Sequence, residues 1–455
     1  MTSGNPSAQV LSRRGFLRGA GALGVAGLAR PLAPSRARAA ESCVEGVGPL
    51  QAADANGLML PAGFTSRVVA TTGQNVAGTS YVWHDAPDGG ATFATPGDGW
   101  IYVSNSESIS GGVGAIEFDA GGAILAAYSI LSGTLINCAG GPTPWGTWLS
   151  CEEVSAGRVF ECDPFTPGSM GVVRLGLGTF QHEAAAVAHE AQRVFLTEDR
   201  SDGLLYRFTS ASYPSLDAGT LAAAQILDPN GQGPIQPGQV RPVAWHTVAN
   251  PNPTGSQTAT RYQVSTATTF NGGEGCWYRD GIVSFSTKGD NRVWQLDPAA
   301  NVIWILYDYT TAGNPVLSNV DNVYTTPCGD VLVAEDPGNL EIVALTPSGL
   351  ALPIVRLAGV PGTEITGPAL SPDGSRLYFS SQRNPGRTFE VSGPFVAPPI
   401  PSLGGPWAFL LLGALGAAAL RAIPKMAGFT RPTRFSGAPA APSQRRAGGP
   451  STARG

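Results

Sequence analysis

"NCAGGPTPWGTWLSCEE" spans residues 137–153, with Cys138 near one end and the pair Glu152-Glu153 at the other. Two short apolar or small-residue stretches flank a turn rich in Pro and Gly, and the second stretch stops in a polar cluster. That order reads as a β-hairpin. A hairpin returns the chain to the edge from which it left, so Cys138 faces the glutamate pair across the open end.

Outward from this hairpin, the same ending recurs. "GWIYVSNSES", "RVFLTED", "GIVSFSTKGD", "GDVLVAED" and "SRLYFSSQR" each run from an apolar strand into a polar or acidic cluster. Aligned on Glu107, Glu152, Glu198, Lys288, Glu335 and Gln382, they lie 45, 46, 90, 47 and 47 residues apart, a period near 46 with one long insertion after Glu198. Further strands such as "GAIEFDA", "GLLYRFT" and "NRVWQLD" follow these endings. A fixed period of this length built from short strands predicts repeated antiparallel sheets. The expectation is an all-β, six-bladed β-propeller over residues 40–397. In it, "GFTSRVVAT" (63–71) supplies the outer strand that closes the ring; a β-sandwich is the alternative. Inside the insertion, "TATRYQVSTATTF" is the one stretch that suggests a helix.

Composition agrees with many strands and tight turns: charged residues make up only 13% of the chain, against roughly 25% in ordinary domains, and there are 60 glycines and 38 prolines. Net charge is -5 and no basic stripe occurs outside the termini, which argues against a nucleic-acid partner. The N-terminus joins Arg13-Arg14 to a short apolar run and a small-residue site ending at Ala39. This is the pattern of a twin-arginine export signal, residues 1–39, and names the export machinery as a partner. At the C-terminus, residues 398–455 read as a sorting or anchor tail. Its apolar segment, Trp407 to Leu420, is marginal beside the roughly 20 residues of a stable span. The expected protein is an exported monomer at the periplasm, cell surface or outside, with membrane association through that tail.

The repeat becomes chemical at the hairpin ends. Just before each first strand stand Cys138, Glu183, Glu274, Asp321 and Glu364; at the second-strand ends stand Glu152 and Glu153, Glu198 and Asp199, Lys288, and Glu335 and Asp336. In a propeller all of these meet at one rim of the central channel. Unit charges about 4 Å apart repel by about 4 kcal/mol at an effective dielectric near 20, so such a gathering calls for bound cations. Carboxylate oxygens suit calcium, and a thiolate among them suits a transition metal. The competing reading leaves individual acids to satisfy turn amides. His182 reads more readily as a structural hydrogen-bonding residue than as a ligand. His84, His189 and His246 show no metal-site spacing. The sequence holds neither a G-x-S-x-G elbow nor a phosphate-binding P-loop, which excludes serine acyl transfer and nucleotide hydrolysis of those kinds. Of the cysteines Cys43, Cys138, Cys151, Cys162, Cys276 and Cys328, an exported chain permits disulfides, and Cys151 with Cys162 could pair across consecutive strands.

"NCAGGPTPWGTWLSCEE", "HEAAAV", "FNGGEGCWY", "KGDNRVW", "DNVYTTPCGDVLVAED" and "LSPDGSRLYF", in this order behind a twin-arginine pattern, resemble the PhoX-type alkaline phosphatases over about residues 60–395. The resemblance implies a six-bladed propeller with an iron and calcium cluster at the channel mouth, where phosphomonoesters are hydrolysed. It implies that Cys138 ligates iron and that Glu153 and Glu183 match family acids. Glu274 falls where the family has an acid two residues after a phosphate-contacting arginine. Here that position is Gly272, and Lys288, Arg200 and Arg383 are the candidate replacements. Lys288 is the expected phosphate contact and, with Glu274, the expected catalytic pair; metal-assisted hydrolysis needs no serine or threonine nucleophile. A calcium-dependent lactonase-like hydrolase and a non-catalytic surface propeller are the alternative functions.

Overall fold

A computed structural model of the 455-residue chain describes residues 42–313, 315–393 and 395. The export signal expected at 1–39 and the tail expected at 398–455 lie outside the described residues. Among the described residues no helix is long and apolar enough to cross a membrane.

The protein is all-β and propeller-like. One four-stranded sheet runs through Pro87–Ala94, Trp100–Ser106, Gly111–Phe118 and Ile124–Thr134; a second through Asn137–Pro142, Trp148–Glu152, Val159–Cys162 and Val172–Val173. A third, nine-stranded sheet holds two meanders. The first runs His182–Ala188, Arg193–Glu198, Leu205–Ser210 and Gly219–Ile226; the second runs Gly273–Arg279, Ile282–Thr287, Arg292–Asp297 and Val302–Asp308. The ninth strand, Val240–Thr247, pairs with Gly219–Ile226 on one side and Val302–Asp308 on the other. The insertion after Glu198 therefore supplies a strand that joins two neighbouring repeats into one sheet. The expected helix there is only a short 3-10 turn, Thr260–Tyr262. A fourth sheet runs Val320–Thr325, Val331–Glu335, Glu341–Leu345 and Ala351–Leu357, with Leu58–Met59 at its edge. The last takes Ile365–Leu370, Arg376–Ser381 and Arg387–Ser392 from the C-terminal part and Thr65–Thr71 from the N-terminal part. The "GFTSRVVAT" stretch thus closes the last sheet, as its sequence suggests.

The first strand of each meander contacts the next in a closed circle: Pro87–Ala94, Asn137–Pro142, His182–Ala188, Gly273–Arg279, Val320–Thr325, Ile365–Leu370 and back. Small residues make so narrow a circle buildable. A Cβ at Gly141 would stand 1.8 Å from the carbonyl oxygen of Ala185, and one at Gly275 would stand 2.4 Å from the amide of Val323. Turns are equally local: Asp280-Gly281 links two strands with both residues at positive φ, 47° and 87°, as a tight hairpin requires. Large aromatics fill the space between neighbouring sheets. Tyr102 of the first sheet stacks on Tyr378 of the last at 5.0 Å, and Trp100 donates its indole N–H to the Tyr378 hydroxyl at 3.0 Å.

Every first strand of these meanders carries a β-bulge near its start. The register breaks between Pro87 and Gly90, Asn137 and Gly140, His182 and Ala185, Gly273 and Cys276, Val320 and Val323, and Thr366 and Ala369. A bulge adds one unpaired residue and re-aims side chains, often beside a functional site. The residues opening the first five of these bulges are Asp88, Cys138, Glu183, Glu274 and Asp321.

Candidate metal centre and active site

The bulge residues are aimed together. Cys138 Sγ lies 3.2 Å from Glu183 Oε1. Glu107, Cys138 and Glu153 hold donor atoms within 4.8 Å of one another, as do Glu183, Glu274 and Asp321, and Asp321, Asp336 and Glu364. The structure therefore brings Cys138, Glu153, Glu183, Glu274, Asp321, Asp336 and Glu364 to one rim. Asp199 joins them through its neighbour Glu153, whose carboxyl it raises by charge and hydrogen bonding.

The second-strand ends sort differently from the alignment on Glu152, Glu198 and Glu335. Paired positions are Asn137 with Glu152, His182 with Glu198, Gly273 with Thr287, Val320 with Glu335, Ile365 with Ser381, and Pro87 with Ser106. One residue beyond each lie Glu153, Asp199, Lys288, Asp336, Gln382 and Glu107, which are the structural equivalents. Lys288 thus takes the place of Glu153, Asp199 and Asp336 rather than that of Glu152, Glu198 and Glu335.

Those three preceding glutamates are occupied inside their own sheets. Glu152 accepts the Leu135 N–H at 3.1 Å and the Arg158 Nε–H at 3.0 Å. Glu198 pairs with Arg261 at 3.0 Å and accepts the Tyr206 hydroxyl at 2.8 Å. Glu335 accepts the N–H groups of Ser318, Asn339 and Glu341 at 2.9, 3.1 and 3.2 Å. Successive strand residues point to opposite faces, so one acid of each pair faces the rim cluster and the other braces the loop behind it. Glu152, Glu198 and Glu335 therefore drop from the candidate ligand set.

Two rim acids are not legible as site residues in the sequence: Asp88, and Glu107, whose sequence signal is only its place in the repeat. The Gln382 amide donates to Asp88 Oδ2 and to Glu107 Oε2, each at 2.6 Å. The signal for Asp88 is "PDGG", which repeats the polar residue and small residues of "NCAGG" at the same hairpin position.

Electrostatics follows from burial and crowding. Burial, then the charge of Asp199, pushes Glu153 up to about 8. Burial, then the charges of Asp321 and Asp88, pushes Glu364 up to about 11. Asp321 rises to about 6 by burial even against the nearby Lys288 ammonium. Glu183, Glu274 and Asp88 rise well above the usual range, chiefly by burial, and burial pushes the Cys138 thiol up as well. Lys288 is held charged: its Nζ lies 2.8 Å from Asp336, 3.1 Å from Glu274 and 3.4 Å from Asp321. One ammonium cannot offset so many carboxylates. Glu183 Oε2 is buried without a hydrogen-bond partner, a costly state for a carboxylate unless a cation takes its lone pairs. The donor set fits metal, with the thiol group offering sulfur and the other groups oxygen alone.

Elsewhere the sequence alternatives resolve. His182 donates its Nε2–H to the Gly178 carbonyl at 3.1 Å, its ring centroid lies 3.6 Å from that of Phe180 and burial pushes it down to about 3, so it is a packed structural residue. Cys151 and Cys162, which the sequence allows to pair, do not: both are free and buried, as are Cys138 and Cys276, and a bridge joins Cys43 to Cys328. Arg383 contacts Glu107 at 3.0 Å. Trp277 packs against three of the hydrophobic clusters, with its ring centroid 4.7 Å from that of Tyr324.

The family described as alkaline phosphatase PhoX matches residues 119–158 and 154–303. Among solved structures, the chain is similar to Pseudomonas fluorescens PhoX in complex with vanadate, a transition state analogue, at 17% identity and a TM-score of 0.63, covering 76% of this chain and 97% of that one. A gluconolactonase from Xanthomonas campestris matches at 11% identity and a TM-score of 0.43, over 77% of this chain and 99% of its own. No curated protein matches the sequence significantly. Over residues 119–303 the sequence is similar to the alkaline phosphatase PhoX family, and the fold is similar to that of the Pseudomonas fluorescens PhoX structure.

Proposed function

We propose that the protein is an exported, metal-dependent hydrolase of phosphomonoesters, built on a propeller of six blades. Counting the nine-stranded sheet as two meanders gives six, and the closed circle of six first strands supports that count. The observation that carries the function is the placement of Cys138 inside the acid cluster, 3.2 Å from Glu183, in a chain matching the PhoX family. A lactonase needs one hard cation and no thiolate, so this placement favours the phosphatase.

In this reading Cys138, with Glu107 and Glu153, would hold iron, and Glu183, Glu274, Asp321, Asp336 and Glu364 would hold calcium. Bound cations would polarise the ester and neutralise charge gathering on the transferred group. The residues of the chain do the rest. The bulges fix the donor side chains on rigid strands, and Gln382 holds Asp88 and Glu107 in place. Lys288 spends its charge on Glu274, Asp321 and Asp336, which makes it an organiser of acids rather than the phosphate contact expected from sequence. The N-terminal and C-terminal patterns add an exported protein held at the membrane by residues 407–420, which fractionation of cells would test.

The deciding experiment is a screen of the exported, metal-loaded protein against phosphomonoesters, phosphodiesters and lactones, before and after chelation. Phosphomonoester turnover lost on chelation is the expected result. Turnover of lactones alone, restored by calcium alone, would overturn the proposal.

A further inference from the structure

Gly272 stands where the resemblance places a phosphate-contacting arginine, yet a doubly charged ester still needs a cation to orient it. Resting on the phosphatase reading, we propose that Arg200 supplies that contact and so determines substrate affinity.

The rim offers few cations. Lys288 is held by three carboxylates. Arg383 is held by Glu107 at 3.0 Å, and Arg261 by Glu198 and Asp202 at 3.0 and 3.2 Å. An incoming phosphate would have to displace an anion from each. Arg200 differs: its side chain is exposed, and its one hydrogen bond among the described residues goes to a neutral acceptor, Gln181 Oε1, at 3.3 Å. Beyond that one bond to a neutral amide, its fork of donors can grip two oxygens of a phosphoryl group at once.

Its position is also fixed beside the gap. The Arg200 carbonyl accepts the N–H groups of both Gly203 and Gly272, each at 2.8 Å, which pins the turn against the glycine. Gly272 has a φ of 67°, and a Cβ there would stand 3.3 Å from the Gly289 amide nitrogen, 3.5 Å from Asp199 Oδ1 and 3.8 Å from Glu274 Oε1, so the backbone here favours glycine and the position borders the acid cluster. Gln181, which accepts from Arg200, donates through its other atom to Glu153 Oε1 at 2.9 Å. The guanidinium is therefore one side-chain amide away from a candidate metal ligand. The turn that carries Arg200 thus sets a guanidinium beside the glycine.

The test is steady-state hydrolysis of p-nitrophenyl phosphate, inhibition by vanadate, and metal content, measured on the wild type, Arg200→Ala and Arg200→Lys. In Arg200→Ala, KM and the vanadate inhibition constant are expected to rise by about tenfold or more, with kcat within about threefold and metal content unchanged, because the contact serves ground and transition states alike. Arg200→Lys should fall between. An active wild type whose Arg200→Ala variant keeps both constants within about twofold would overturn the assignment and leave the phosphatase reading intact. Loss of metal from Arg200→Ala would overturn it too, since the residue would then act through Gln181 on Glu153. A wild type that loads metal but neither hydrolyses phosphomonoesters nor binds vanadate would remove both proposals together.

Discussion

Cys138 and Glu183 open the bulges of two neighbouring inner strands, and their side chains meet at 3.2 Å in the buried rim of the channel. Burial and the surrounding carboxylates keep the metal-free thiol protonated. A thiolate at this place therefore depends on a bound cation. Cys138→Ser is expected to abolish binding of the transition metal, read as loss of iron by elemental analysis and of visible absorbance, while calcium is retained. Unchanged iron content in the serine variant would show that the sulfur is not a ligand.

The adjacent acids Glu152 and Glu153 separate stability from metal binding. Glu152→Gln weakens partly buried bonds to Leu135 and Arg158; the expected cost is about 1 kcal/mol, seen as a lower Tm with metal content intact. Glu153→Gln should do the reverse, lowering metal content while leaving the Tm of the stripped protein equal or higher. Equal effects from the two variants would contradict the division of roles.

Metal-free protein should lose stability as pH rises. Asp321 and Glu153 move from ordinary values of 3.8 and 4.5 up to about 6 and about 8 in the folded state. Groups raised on folding stabilise the native state below their unfolded values, and that contribution disappears as pH passes through the folded ones. Thermal melts of chelated protein should show Tm falling between about pH 4 and pH 8, and added calcium should flatten the slope. A Tm that rises over this window without metal would refute the picture of crowded, cation-requiring acids.

Lys288 is the resident counter-charge of Glu274, Asp321 and Asp336. Lys288→Met is expected to lower the Tm of the stripped protein near neutral pH more than that of the calcium-loaded protein, because cations can take over its role. Differential scanning calorimetry with and without calcium measures the difference, and equal losses in both states would assign Lys288 a purely packing function.

The Cys43–Cys328 bridge ties the start of the described chain to a turn following Val320–Thr325, whose opposite end carries the rim residue Asp321. Reduction, or Cys43→Ser, should cost about 2–4 kcal/mol without changing metal content. Melts with and without reductant, paired with elemental analysis, check both halves of the statement.

Much of the fold is legible in residue order because it is local physics. Alternating strands, Gly and Asp turns such as Asp280-Gly281, and a period near 46 follow from short-range preferences written into each repeat. The chemistry of the rim is legible for the same reason: acids and a cysteine recur at both ends of one hairpin. Direction is another matter. Glu152 and Glu153 are chemically identical neighbours, and only pairing to Asn137 and the bulge after it decide which one turns into the channel. Asp88 becomes visible when its strand takes its place in the circle. Cys43 finds Cys328 across a separation of 285 residues, and Val240–Thr247 fuses two meanders by pairing on both edges. These outcomes belong to tertiary structure because strand register and ring closure join residues far apart in the chain, and side-chain direction in a strand reverses with every single step of that register.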